Sequence, residues 1–202
     1  MNKTDEHQHN SLVVIRQEDL MTKIGLFYGS NEGHTEAVAE RIQREFDDYE
    51  PGMVEIANIA QTSIDQLEQW DYLIFGIPTW NDGKLQDDWD VFLPSMDHVN
   101  LAGKKVAIFG LGDQYLYSYT FLDAVGILAD KVRERGGELV GLWPAEGYEF
   151  AESRARDGDY LLGLAIDEDN EPERTAERIE SWVAQLVSEF DVFELEAQPA
   201  LA

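Results

Sequence analysis

Ile24-Gly25-Leu26-Phe27-Tyr28-Gly29-Ser30-Asn31-Glu32-Gly33-His34-Thr35 begins as an apolar run of strand type and breaks into a small, hydroxyl-rich turn. Beyond it Val38, Ile42 and Phe46 recur four apart, with Ala39 beside them, which is the apolar stripe of an amphipathic helix. At such a strand-to-helix turn the first backbone N–H groups of the helix lack intrahelical partners and point at one spot. An anion fits there. Ser30 and Thr35 add hydroxyl donors, Asn31 adds an amide, and Gly33 lets the backbone approach closely because it has no Cβ. Gly-Ser-Asn is also ordinary turn chemistry, so the loop alone leaves both readings open.

Spacing removes two alternatives. A triphosphate loop needs G-x-x-x-x-G-K-[ST], whereas here the glycines are one residue too close and His34 stands where the lysine belongs. The dinucleotide fingerprint G-x-G-x-x-G is missing from this turn, which disfavours a dinucleotide enzyme.

Outward from the loop, Val54 to Ile59 reads as a short strand and Ile64 to Gln69 as a short helix. Tyr72-Leu73-Ile74-Phe75-Gly76-Ile77 is apolar on both faces, as a central parallel strand must be. Pro78-Thr79-Trp80-Asn81-Asp82-Gly83-Lys84-Leu85-Gln86 follows, with a large aromatic in a polar turn. Val106 to Phe109 is the next buried strand. It leads into Gly110-Leu111-Gly112-Asp113-Gln114-Tyr115-Leu116-Tyr117-Ser118-Tyr119, where three tyrosines crowd beside glycines and an aspartate.

A helix stripe of Leu122, Val125, Leu128, Ala129 and Val132 ends at Gly136-Gly137. Leu139 to Trp143 then reads as a strand continued by Leu161 to Ile166, with 144–160 inserted between. A last helix carries Ile179, Trp182, Val183, Leu186 and Phe190 on one face, with Thr175 expected as its N-cap. Strands alternating with helices imply an α/β, doubly wound parallel sheet. Ligands in such sheets bind at the carboxyl ends of the strands, beside the switch point. All three unusual loops fall there. One anion cradle and two aromatic loops describe a site for a flat, phosphorylated heterocycle.

The chain has 202 residues, 44% hydrophobic and 11% aromatic, enough for one buried core and short for two. Residues 1–21 form an N-terminal extension expected to be disordered, 22–190 the folded unit and 191–202 an acidic tail. His7 and His9 have no further ligand nearby, so no metal is expected. Fifteen basic against forty-one acidic residues give a charge of -26, which disfavours nucleic acid and anionic lipid and would steer a basic partner. Solubility or adaptation to high salt would leave the same signature. There is no cysteine, so thiolate chemistry is excluded. No apolar run reaches membrane-span length, and a cytoplasmic location is expected.

The motifs Gly29 to Glu36, Gly76-Ile77-Pro78-Thr79-Trp80, Gly110-Leu111-Gly112-Asp113-Gln114 and Gly147-Tyr148-Glu149-Phe150 resemble the flavodoxin family, over about Thr22 to Phe190. The insertion resembles its long-chain members, whose last strand is split by an extra loop. The resemblance, and not the residues themselves, supplies that family's five-stranded order 2-1-3-4-5.

It implies non-covalent FMN, with Ser30, Asn31, Glu32, Gly33, His34 and Thr35 at the phosphate. Trp80 and Tyr117 would flank the ring, and Asn81, Asp82, Gly112 and Asp113 would meet its polar edge. Thr79 and Leu111 complete the set, and Asp169 is a candidate at the ribityl chain. The implied activity is low-potential one-electron transfer between a basic reductase and basic acceptors, by a monomer that is not an enzyme. A carbonyl of the turn 80–83, eased by Gly83, would rotate to hold the one-electron-reduced flavin. Acidic surroundings would lower the potential for full reduction.

Several positions depart from the family. Glu32 stands where threonine is common and is expected to turn outward, leaving the phosphate to backbone N–H groups. His34 stands where Lys or Asn is usual, and its protonated form would offset the phosphate charge. Lys84 replaces a usual glutamate and Leu116 a usual glycine, so Tyr115 and Tyr119 stay open as alternatives to Tyr117. Other functions remaining are an FMN-dependent NAD(P)H or quinone reductase and an apo regulatory protein.

Overall fold

Because Tyr72 to Pro78 is apolar on both faces, it needs cover on both sides, and it lies at the centre of the sheet with its five middle residues buried. The computed structural model describes residues 23–192. The extension 1–21, with its His7 and His9 pair, and nearly all of the tail 191–202 lie outside the described residues.

In chain order the elements are β1 (Ile24–Tyr28), α1 (His34–Asp47), β2 (Val54–Asn58), α2 (Ile64–Glu68), β3 (Tyr72–Pro78), α3 (Asp87–Phe92), β4 (Lys105–Leu111), α4 (Asp123–Glu134) and β5 (Glu138–Val140). There follow β6 (Trp143–Pro144), β7 (Arg156–Asp157), β8 (Tyr160–Leu161), β9 (Leu164–Ile166) and α5 (Thr175–Glu189). The main sheet has the order β2-β1-β3-β4-β5, with β9 also on β4. All its pairs are parallel, and Leu26 of β1 lies opposite Ile56 on one side and Ile74 on the other.

Strand side chains alternate between faces, and this alternation assigns the two layers. Leu26, Ile74 and Phe109 pack with Val38, Ile42 and Phe46 of α1 and with Ile179, Trp182 and Leu186 of α5. Phe27, Phe75 and Ile108 pack with Trp89 and Phe92 of α3 and with Val125 and Leu128 of α4. Each such buried side chain contributes roughly 1.5–3 kcal/mol of transfer free energy. The sheet is thereby clamped from both sides, and its carboxyl edge is a fixed platform.

The fifth strand is split, though not where the apolar runs suggest. Its first half is Glu138–Val140, paired with Lys105–Ala107, and its second half is Leu164–Ile166, paired with Phe109–Leu111. Leu139 to Trp143 does not continue as one strand because Gly141 takes φ 70° and turns the chain away, its carbonyl accepting from Trp182 Nε1 at 2.8 Å. Leu161 belongs instead to a small antiparallel sheet, β6-β8-β7, inside the insertion. Thr175 is not the N-cap. A 3₁₀ turn over Pro172–Arg174 precedes α5 and places Thr175 inside it, where its hydroxyl donates to Glu168.

From β1 the chain moves outward to β2 and then crosses back to β3 on the other side. The loops after β1 and β3 therefore diverge and open a crevice between them.

Candidate functional site

At the end of β1 the Gly29 N–H still belongs to the sheet, donating to the Gly76 carbonyl at 3.0 Å. The chain then turns through Gly33, which takes φ 89° and ψ -8° at the N-cap of α1. A methyl group on Gly33 would meet nothing within 4 Å. The glycine is required here by its left-handed conformation rather than by close packing within the protein.

Ser30 Oγ accepts from the Gly33 N–H at 3.0 Å, and the first helical bond runs from Ala37 N–H to the Gly33 carbonyl at 2.9 Å. Among the described residues, the N–H groups of Asn31, Glu32, His34 and Thr35 have no protein acceptor. Unpaired N–H groups of this kind at the start of a helix can hold an anion. The Thr35 side chain is buried, while Glu32 and His34 are exposed at the cavity wall. The Asn31 amide is engaged elsewhere: Nδ2 donates to Asp87 at 3.1 Å, and Oδ1 accepts from Gln86 at 2.5 Å.

The turn after β3 is a tight loop closed on itself. Trp80 and Lys84 exchange N–H to carbonyl bonds of 2.9 and 2.7 Å, and the Gly83 N–H donates to the Asn81 carbonyl at 2.9 Å. Asn81 (φ 45°) and Gly83 (φ 81°) are both left-handed, a conformation that Asn and Gly tolerate best. Thr79 ties the turn to its neighbours, its N–H donating to Leu111 and its hydroxyl accepting from the Ala124 N–H at 3.2 Å. Trp80 lines the cavity, and its Nε1 is buried with no acceptor. A buried donor left unpaired costs about 1–3 kcal/mol.

The third loop is held from behind by β9 and by the insertion. Gly112 N–H donates to the Ile166 carbonyl at 3.1 Å, and Ala151 and Glu152 N–H groups donate to Ser118 at 2.9 and 3.0 Å. Asp113 Oδ1 accepts from the N–H groups of Tyr115 and Leu116 at 2.9 and 2.8 Å, and from Asn170 Nδ2 at 2.8 Å. Burial alone would raise the Asp113 pKa, but these donors outweigh it and hold the carboxyl below its ordinary value. Behind it the fully buried Asp167 accepts from the Gln114 N–H and side chain at 3.1 and 2.9 Å. Glu171, which burial would raise, is likewise held low by Arg178 at 2.6 Å and Gln114 at 3.1 Å.

The three loops enclose an open cavity of about 360 Å³. From the sequence-predicted set, Ser30, Asn31, Glu32, His34 and Thr35 meet Thr79, Trp80 and Asn81 there. Leu111, Gly112, Asp113, Tyr117 and Asp169 complete the wall. Gly33, Asp82 and Gly83 do not line it; they shape the turns that place their neighbours. Tyr117 alone of the three tyrosines faces the cavity, since Tyr115 and Tyr119 are 54% and 70% exposed and absent from its wall.

Sequence reading missed Pro78 and Glu168 in the wall. Both adjoin predicted residues, and Pro78 stands inside a motif already singled out. It also missed Gln86, fully buried beneath the anion loop, whose type and spacing carry no periodic signal. Among the described residues, no group of three or more His, Cys, Asp or Glu could hold a metal ion, and no helix is long and apolar enough to cross a membrane.

A parallel sheet whose switch-point crevice joins a free N–H cradle to two aromatic side chains defines a mononucleotide-binding α/β protein. The profile of the family described as Flavodoxin matches residues 26–182. A flavodoxin of Synechococcus elongatus is 51% identical over 170 residues, covering 84% of this chain and 99% of its own. Flavodoxin 1 of Escherichia coli is 43% identical over 176 residues, covering 87% and 98%. A Fusobacterium nucleatum flavodoxin bound to flavin mononucleotide superposes with a TM-score of 0.78 at 27% identity, covering 84% of this chain and 99% of that one. The chain belongs to the flavodoxin family.

Proposed function

We propose that this protein is a low-potential one-electron carrier working with non-covalently bound FMN, and not an enzyme. The observation that carries the reading is the cavity itself: an unpaired N–H cradle at one end, Trp80 and Tyr117 in its walls, and a buried indole donor without an acceptor. A flat phosphorylated flavin matches that donor set, and FMN-bound flavodoxins share the fold. When bound, FMN supplies one-electron redox chemistry.

The residues of this chain would bind and tune it. Backbone groups of 30–35 would hold the phosphate, and Glu32 is exposed at the cavity wall rather than buried. Trp80 and Tyr117 cover the ring faces, and backbone at Asn81, Gly112 and Asp113 meets the polar edge. A carbonyl of the turn 80–83 would rotate toward the ring, a change that the left-handed Gly83 eases. Asp169 remains the ribityl candidate.

Glu32 and Asp169 are exposed at the cavity wall, and Asp82 and Asp87 are exposed on the ring turn and at the start of α3. Their field disfavours adding negative charge to the ring, and steers basic reductases and acceptors toward the exposed edge. We place the protein in the cytoplasm as a monomer. Fluorescence titration of apoprotein with FMN, followed by an NAD(P)H oxidation assay, tests this. One FMN per chain without steady NAD(P)H turnover is expected. Turnover by the protein alone would assign it to FMN-dependent NAD(P)H or quinone reductases, and no FMN uptake would leave an apo regulatory protein.

A further inference from the structure

Gln86 is fully buried, polar, and two residues beyond the ring turn, yet its contacts reach back to the anion loop. Its Oε1 accepts from the Trp89 N–H at 3.2 Å, capping α3. That bond fixes the amide orientation, because the opposite flip would set the carbonyl oxygen against two other acceptors. Nε2 therefore donates to Asn31 Oδ1 at 2.5 Å and to Asp88 at 2.7 Å. Asn31 Nδ2 in turn donates to Asp87 at 3.1 Å. Both ends of the Asn31 amide are thus held by the start of α3.

The same amide fills the space beneath the loop. A methyl on Gly29 would lie 2.1 Å from Gln86 Oε1 and 2.6 Å from the Trp89 ring. Gly29 directly follows β1 and Asn31 opens the turn, so the amide supports the loop at two points on either side of Ser30. The ring turn does not depend on it, being closed by its own Trp80 to Lys84 bonds.

We infer that Gln86 is a positioning residue which, through Asn31, holds the cradle of 31–35 in its binding shape and so sets the preference for a phosphorylated over an unphosphorylated flavin. The inference rests on the FMN reading above. In this arrangement Asn31 acts as a strut whose side chain is spent on α3, and only its backbone N–H faces the ligand.

The test compares FMN with riboflavin, which shares the ring and ribityl chain but lacks the phosphate. Affinities are measured by fluorescence quenching for the wild-type apoprotein, Gln86→Leu, Asn31→Ala and the double variant. Each single variant is expected to weaken FMN about tenfold, the scale of one lost hydrogen bond in a site where charge is bound. Riboflavin affinity should stay within about twofold, because its contacts lie in the separately closed ring turn. The double variant should be no worse than either single, since both remove the same link.

Equal loss for both flavins would reduce Gln86 to general packing and overturn the inference. Additive losses would do so too, because Asn31 would then be acting on the phosphate independently. If Gln86→Leu does not fold, Gln86→Met, closer in shape to the native side chain and equally without the donor to Asn31, decides by the same FMN to riboflavin ratio. A wild-type protein that binds neither flavin defeats the FMN reading itself, an outcome distinct from an unchanged ratio in the variants.

Discussion

Replacing Trp80 with Phe should move apoprotein stability and cofactor affinity in different ways. In the apoprotein the Trp80 indole N–H is buried without an acceptor, a state that costs about 1–3 kcal/mol. Phenylalanine removes that donor while giving up roughly 1 kcal/mol of apolar burial in the smaller ring. The two terms oppose each other. Urea unfolding of the Trp80→Phe apoprotein should therefore differ from wild type by less than about 1 kcal/mol.

With FMN the balance changes on the proposed reading, in which a ligand oxygen meets the indole N–H. A neutral hydrogen bond of that kind contributes about 0.5–1.5 kcal/mol, which converts to roughly 2–10-fold in Kd. Fluorescence titration should show that loss in the variant. An apoprotein destabilised by more than about 2 kcal/mol, or an unchanged FMN affinity, would refute the assignment of this donor to the ligand.

Gly33→Ala should destabilise the apoprotein by about 1–2 kcal/mol although its methyl has open space, because the cost is that of an L-residue held at φ 89°; urea unfolding checks it, and no change would show that the loop relaxes freely. Asp113 has a lowered folded pKa, so its contribution is present above the unfolded carboxylate range near ~3.9 and is lost as pH falls through the folded value. Asp113→Asn should accordingly lower the urea midpoint at neutral pH, with the gap to wild type closing in acid; a gap independent of pH would contradict the sign. The charge of -26 predicts that the thermal midpoint rises between about 0.01 M and about 1 M NaCl, as the Debye length falls from ~30 to ~3 Å. A flat or falling midpoint would mean that ion pairing outweighs self-repulsion.

The parts of the site legible in the sequence are those where the residue type is forced by its place. Ser30 to Thr35 sit where an apolar strand gives way to helical periodicity, and Trp80 sits in a polar turn where no core needs it. Of the three tyrosines after β4, spacing could not choose among Tyr115, Tyr117 and Tyr119. The choice depends on how Asp113 folds the turn back onto the N–H groups of Tyr115 and Leu116.

What stayed hidden depends on contacts distant in sequence or on single backbone torsions. Gln86 meets Asn31 across 55 residues with no periodic signal. The run Leu161 to Ile166 reads as one strand, yet a Cβ at Gly163 would fall 2.2 Å from the Ile108 carbonyl, marking where the chain closes onto the sheet. Thr175 has the right chemistry for an N-cap, but Pro172 starts a turn earlier and leaves its hydroxyl to Glu168.

The proposed function requires one cavity that holds FMN and passes electrons singly. Reconstituted protein should be reduced stepwise under anaerobic conditions while its visible spectrum is recorded. One FMN per chain is expected, reduced in two resolved one-electron steps, with the second at low potential. A single two-electron step, or a chain that takes up no FMN, would contradict it.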